Sequence, residues 1–526
     1  MNAIPDDTTI RQSLESQARA TPNRVYLRFE ESEFTVLAFD RRVNRLANAL
    51  ADLGLRPGDR VAVMLGNHPD HVATFLAGAK LGLVQVPVNV HLRGASLEYL
   101  LAHAAPRAAI ADFSFADVLV PALTRARCDI VLWREGLGVV PGAAGHRFED
   151  ALAAGAEAAP PFAPRSQDTL AICYTSGTTG PPKGVTVTDK MCRAAAAGAA
   201  TAADFQPGDV QFLWAPLFHI GGIQTLIAAV QNDITLALAE RFSASRFWHQ
   251  VRKYRATKIH YVGGVVGILL KQPPRDDDAQ SGAKIAWGGG APANLWRPFM
   301  DRFKLRIHEI YGMTECSSIS HVNSEGLVGS VGKVLPYFEA RILGEDARPL
   351  AFGEIGEIAL RARVPGLITK EYFRDPEASA QALRDGWLHT GDLGSVDGDG
   401  FFRYLGRRKD SIRRRGENVS AWEVERVLQT HPAVEECAVI GVDAEIGDQD
   451  ILAFVKPVAG QAPEPLDLIR HCESALAYFQ IPRYLAFVAE FPKTPTHRIR
   501  KDALPRTLDG CWDLDRSGYT LRRSER

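Results

Sequence analysis

A short apolar run, Leu170 to Cys173, leads directly into Tyr174-Thr175-Ser176-Gly177-Thr178-Thr179-Gly180-Pro181-Pro182-Lys183-Gly184-Val185. The run reads as a buried strand. The eleven residues from Tyr174 to Gly184 then hold five hydroxyl side chains, three glycines and one lysine. Glycines let neighbouring backbone N–H groups converge, hydroxyls add neutral donors and the lysine supplies charge, so the segment predicts an anion cradle at a strand end. It is not the common nucleotide loop, because no Gly-Lys-Ser/Thr follows four spacer residues.

Upstream segments agree with a strand-based architecture. Phe39, Val43, Leu46, Leu50 and Leu53 recur at helical spacing, with Gly54 placed to end the helix. Arg60 to Leu65 predicts a strand, Asp70 to Leu81 a helix and Leu83 to Val88 another strand. Such alternation implies a parallel α/β sheet. Residues 155–167 read as a connecting loop.

A chain of 526 residues is too long for one core. Its formal net charge of −1 gives no electrostatic case for nucleic acid or an anionic membrane. Seven cysteines are scattered without a Cys-x-x-Cys pair, which suits reduced thiols and offers no metal-site spacing. The start, Met1 to Asp7, lacks the basic and apolar runs of a signal peptide. No stretch of about eighteen apolar residues is present. A soluble cytoplasmic protein is therefore expected.

The loop, together with Arg56-Pro57-Gly58-Asp59-Arg60-Val61-Ala62-Val63 near the start and the later stretches quoted below, resembles the adenylate-forming superfamily. That group contains acyl-CoA ligases, peptide-synthetase adenylation domains and beetle luciferases. The resemblance runs from about residue 10 to 505. It implies a large N-terminal adenylate- and acyl-binding domain of α/β subdomains with mainly parallel sheets, residues 1–408. A small mobile α+β lid, residues 409–526, would swing about a hinge at Lys409. ATP or acyl-AMP, coenzyme A and Mg²⁺ are the implied cofactors.

Site residues follow from the same resemblance. Thr175, Ser176, Gly177, Thr178, Thr179 and Lys183 would hold phosphates. In Gly288-Gly289-Gly290-Ala291-Pro292, Gly289, Gly290 and Ala291 would offer a flat surface to adenine. In Tyr311-Gly312-Met313-Thr314-Glu315, Tyr311 would stack on adenine beside Gly312, Thr314 would touch the α-phosphate and Glu315 would hold Mg²⁺. Asp392 and Arg407 would bind ribose. His219, after Phe218, would lie beside the acyl carboxylate. Peptide-synthetase domains for α-amino acids usually carry aspartate there, so an acid without an α-amine is expected. Trp214, Phe218, Gly263, Gly264 and Gly288 would border the acyl pocket, whose glycines leave room for a bulky or polycyclic acid. Gly416 would leave open the channel for pantetheine. Arginine and lysine fill six of nine positions from 407 to 415, either a solvated hinge face or an attraction for CoA phosphates.

One stretch departs from the pattern. Where relatives read Pro-Lys/Arg-Thr-x-x-Gly-Lys-Ile, this chain has Pro492-Lys493-Thr494-Pro495-Thr496-His497-Arg498-Ile499. Arg498 falls on the adenylation lysine and His497 on the glycine. A guanidinium is longer, planar and geometrically fixed, so the exchange is not conservative. The expectation is a ligase that makes acyl-CoA from an acyl-AMP supplied by a separate adenylating enzyme, its own adenylation weak or lost. The alternative is a complete ATP-dependent synthetase in which Arg498, Lys493 or Lys501 serves. A luciferase-like oxygenase and a non-catalytic adenylate binder share the nucleotide motifs.

Overall fold

The computed structural model describes residues 8–175, 182–408, 411–414, 417–444, 449–476, 478–494 and 498–521. The helix Val36–Asp52 turns Phe39, Val43, Leu46 and Leu50 inward. Thr35 starts it by accepting the Ala38 N–H on its hydroxyl, and Gly54 leaves it at φ 91°, the left-handed conformation that glycine takes at least cost. The helix Pro69–Leu81 is buried along its whole length, so its apolar residues do not keep to one stripe, and its buried charges are paired, Asp70 with Arg42 and Lys80 with Asp40.

Among the described residues, two large sheets share one core. In the first, Ala144–Arg147, Ile130–Arg134, Ala108–Asp112, Arg60–Met64, Val84–Pro87 and Thr169–Thr175 lie side by side. These pair in parallel, and Lys183–Thr188 then returns antiparallel to Thr169–Thr175 with Thr175 opposite Lys183. The second sheet has a parallel centre formed by Thr235–Leu238, Val210–Leu213, Lys258–Val262, Ile285–Gly289 and Arg306–Tyr311. Val61 and Val63 of the first sheet and Leu236, Ile259 and Ile285 of the second belong to the same buried cluster. This is the expected α/β class, with strands buried on both faces reading as continuous apolar runs.

An antiparallel sheet follows, in which Trp387–Val396 pairs with Gly356–Ala362 and with Phe402–Arg407. The C-terminal part is a smaller α+β unit. Val434–Asp443, Gln449–Pro457 and Tyr484–Phe487 form a sheet with an apolar cluster on each face, and helices Ala421–Leu428 and Pro465–Glu473 cover one of them. The second of these helices ends at Glu473, before a separate 3₁₀ turn at Tyr478–Gln480. The tail after residue 506 carries no legible pattern, yet Trp512–Asp513 adds an edge strand to Tyr484–Phe487. Arg483 explains the docking, since its guanidinium pairs with Asp450, Asp513 and Asp515. No helix among the described residues is long and apolar enough to cross a membrane.

Candidate active site

Several chain segments that are distant in sequence meet where the two large sheets and the antiparallel sheet end together. Tyr311 closes the strand Arg306–Tyr311, and its hydroxyl donates to Asp392 Oδ2 at 2.7 Å. Asp392 stands directly across the sheet from Arg407, whose Nε lies 2.8 Å from Asp392 Oδ1. Burial raises the Asp392 carboxyl above its ordinary value, while Arg407, the Tyr311 hydroxyl and Arg498 all pull it down. Arg498 itself is exposed, on a turn tied by Thr494 N–H to Arg498 O at 2.7 Å and by Arg498 N–H to Thr494 Oγ1 at 3.0 Å.

The tight turn after Tyr311 requires Gly312. A Cβ there would stand 2.1 Å from the Ser318 carbonyl oxygen, so Gly312→Ala must push apart the turn that carries Thr314 and Glu315. Overpacking of this kind costs about 1–3 kcal/mol. Thermal melting of Gly312→Ala should show a clear fall in Tm; an unchanged Tm would refute the close packing. Thr314 and Glu315 are both buried. Glu315 Oε1 accepts the Tyr372 hydroxyl at 2.9 Å, and burial raises its carboxyl above the ordinary value.

The glycines serve different purposes. Gly288 sits opposite Tyr261 in the sheet, and a Cβ would come within 1.8 Å of the Tyr261 carbonyl, so packing alone demands glycine there. At Gly263 and Gly264, by contrast, a Cβ would meet nothing within 4 Å; the space beside them is open. Gly289 ends its strand, and the N–H groups of Gly290 and Ala291 both point at Glu309 Oε1. Glu309 Oε2 also accepts the Tyr261 hydroxyl at 2.6 Å. Burial pushes the Glu309 carboxyl up to about 8 against these hydrogen bonds. Sequence reasoning passes over Glu309 because it alternates with apolar residues in an ordinary strand; an acid on the buried face is the available signal.

His219 is the N-cap of helix Ile220–Gln231, its Nδ1 accepting the Gly221 N–H at 3.1 Å. That bond puts the ring proton on Nε2, leaving it free to donate. The imidazole is exposed, yet surrounding protein lowers its pKa by desolvation, the combination expected for a side chain facing a cleft. The helix N-terminus adds partial positive charge at the same place. Phe218 is half-buried. Trp214 is buried, donating its indole N–H to His260 O at 2.7 Å.

Thr175 and Lys183 face each other across the mouth of the loop, and Lys183 Nζ lies 5.2 Å from the centre of the Tyr372 ring. Ser176, Gly177, Thr178, Thr179, Lys409, Gly416 and His497 lie outside the described residues. Among the described residues no cluster of three or more His, Cys, Asp or Glu could form a dedicated metal site. A lone buried carboxylate fits a Mg²⁺ that arrives on nucleotide phosphates, because that ion usually takes one or two protein carboxylates.

Comparison with known proteins agrees with this geometry. A family described as AMP-binding enzyme matches residues 14–373, and its C-terminal domain family matches residues 423–498. The chain belongs to the AMP-binding enzyme family. Within that family it is an acyl-CoA ligase. The crotonobetaine/carnitine–CoA ligase of Escherichia coli O8 (strain IAI1) is 33% identical over 487 residues, covering 89% of this chain and 92% of that one. Among solved structures, the anthranilate CoA ligase AuaEII in complex with anthranoyl-AMP superposes with a TM-score of 0.86 at 26% identity, over 95% of this chain and 96% of that one. The o-succinylbenzoate coenzyme A synthetase MenE of Bacillus subtilis, with ATP and magnesium ion, gives 0.82 at 27% identity over 95% and 99%.

Proposed function

We propose that this chain is a complete ATP-dependent acyl-CoA synthetase that adenylates a carboxylic acid and then transfers the acyl group to CoA. What supports this over a lost adenylating half is the likeness of almost the whole chain to CoA ligases, one of them solved with ATP and magnesium ion. Arg498 keeps a positive charge at the sequence position of the usual adenylation lysine. The other candidates are engaged elsewhere, Lys493 with Glu436 at 2.6 Å and Lys501 with Glu425 at 2.6 Å. No separate adenylating enzyme is needed.

In the first step the substrate carboxylate attacks the α-phosphorus of ATP and the bond to the bridging oxygen breaks, releasing pyrophosphate. Arg498 offsets the charge that builds on the phosphoryl oxygens. Thr175, Lys183 and the loop between them hold phosphates, Thr314 the α-phosphate, Asp392 and Arg407 the ribose. Tyr311 and the Gly289–Ala291 backbone hold adenine. Glu315 would hold Mg²⁺, which when bound neutralises phosphate charge. In the second step the CoA sulfur attacks the acyl carbon, the acyl–oxygen bond breaks and AMP leaves with the thiol proton released to solvent. Residues 1–408 and 409–526 form the two domains, Lys409 the hinge between them and Gly416 the opening for pantetheine.

The relatives act on crotonobetaine or carnitine and on anthranilate, all carboxylic acids. Here His219 Nε2–H donates to the acid, and the open space beside Gly263 and Gly264 takes its bulk. A histidine with a depressed folded pKa favours folding fully above its ordinary value of 6.5. That share is lost as pH falls below this value and through the folded one. Protonation also turns Nδ1 from acceptor to donor against the Gly221 N–H. The acid limb of kcat/KM should therefore lie below pH 6.5 and disappear in His219→Gln; a limb at or above that pH would refute this role. The reading as a whole is tested by incubating the enzyme with ATP, CoA and a panel of aromatic and betaine acids. AMP, pyrophosphate and thioester should form in equal amounts, and thioester from acyl-AMP alone would return the split mechanism.

A further inference from the structure

The segment Thr369–Phe373 acts as a strap between the strand leaving the phosphate loop and the turn that carries Glu315. Tyr372 bridges to Val185 as in an antiparallel pair, and the Phe373 N–H donates to Gly184 O at 2.7 Å. Thr186 Oγ1 donates to Glu371 O at 2.9 Å. Thr369 donates its N–H to Glu315 O at 2.8 Å and its hydroxyl to Thr186 O at 2.8 Å. The strap thus fixes Tyr372 against both neighbours. One face of its buried ring lies under Lys183 Nζ, 5.2 Å from the ring centre, and its hydroxyl donates to Glu315 Oε1 at 2.9 Å.

We propose that Tyr372 is a positioning residue that keeps Lys183 and Glu315 apart, so that the ammonium meets nucleotide phosphates and the carboxylate meets their divalent cation. This rests on the synthetase reading. Opposite charges a few ångströms apart at a part-buried site attract strongly. Lys183 and Glu315 both contact this one side chain, by its ring and by its hydroxyl, and with the side chain gone the two charges would be drawn toward each other, silencing both. An aromatic face accommodates a cation without neutralising it. A hydroxyl orients a carboxylate without occupying both its oxygens, as partners of metal-ligating carboxylates do elsewhere. No motif marks Tyr372 as part of the site, since it stands 57 residues from Glu315.

The test measures binding of Mn²⁺ by electron paramagnetic resonance with α,β-methylene-ATP, a non-cleavable analogue. Tyr372→Phe keeps the ring and drops the hydroxyl. It should weaken Mn²⁺ binding about 10-fold, leave analogue binding in EDTA unchanged and recover its turnover at high Mg²⁺. Tyr372→Leu removes the spacer and should weaken the metal and the nucleotide together. Wild-type Mn²⁺ affinity in Tyr372→Phe overturns the inference while leaving the synthetase reading intact. Failure of the unaltered enzyme to bind the metal–analogue complex overturns both.

Discussion

Arg498→Ala should lower the rate of acid-dependent pyrophosphate release from ATP by about 100-fold, the usual cost of deleting one preorganised group that stabilises transition-state charge. The attacking carboxylate and the triphosphate are both anions, and the charge transferred to the phosphoryl oxygens peaks in the transition state. Arg498 is exposed on its turn, and so its removal should leave folding untouched. Thioester formation from synthetic acyl-AMP and CoA should also persist, because sulfur attack on an acyl carbon brings no second anion to the α-phosphate. The two half-reactions measured side by side therefore separate a catalytic loss from a general one. Arg498→Lys keeps the charge and loses the planar fork, and should fall between the wild type and the alanine variant. If Arg498→Ala released pyrophosphate at nearly the wild-type rate, another residue would have to carry the step.

Asp392→Ala is the second large effect, on both binding and stability. The carboxylate is buried and paired with Arg407 at 2.8 Å and the Tyr311 hydroxyl at 2.7 Å. Breaking a fully buried pair costs about 3–5 kcal/mol. Arg407 keeps 28% of its side chain exposed, so water compensates part of the loss, and about 2 kcal/mol is a better expectation. The KM for ATP should rise about 100-fold, the weight of one or two charge-assisted hydrogen bonds to ribose. Asp392→Asn keeps the shape and an acceptor for Tyr311, and should restore most of the stability but little of the affinity. Urea unfolding and ATP titration of the two variants check both halves. Full affinity in Asp392→Asn would remove this residue from ribose binding.

The sequence is most legible where the chemistry is local. The apolar run announces the strand Thr169–Thr175, and the hydroxyl- and glycine-rich segment the loop that leaves it, because both signals lie within a few neighbouring residues. The helix end at Gly54 is readable in the same way, from a residue that accepts positive φ. Long-range convergence is readable only through the resemblance. Nothing in periodicity brings Tyr311 to Asp392, or Arg407 across from it; strand pairing does that. Glu309 and Tyr372 escape altogether, since their roles consist of contacts with segments that lie elsewhere in the chain. At Gly288 the structure adds a demand that no sequence pattern announces: the neighbouring strand leaves no room for a Cβ. The strand Trp512–Asp513 is invisible because two residues carry no alternation; Arg483 and its three aspartates place it.

Substitution chemistry alone argues that a guanidinium at position 498 serves poorly where an ammonium is usual. The likeness to CoA ligases, one of them solved with ATP and magnesium ion, weighs the other way, and a guanidinium still carries the charge. The direct check is acid-dependent exchange of labelled pyrophosphate into ATP, run without CoA so that only adenylation contributes. The complete-synthetase account predicts exchange that needs the acid and is abolished in Arg498→Ala. No exchange with any acid, from enzyme that still converts supplied acyl-AMP and CoA to thioester, would contradict it.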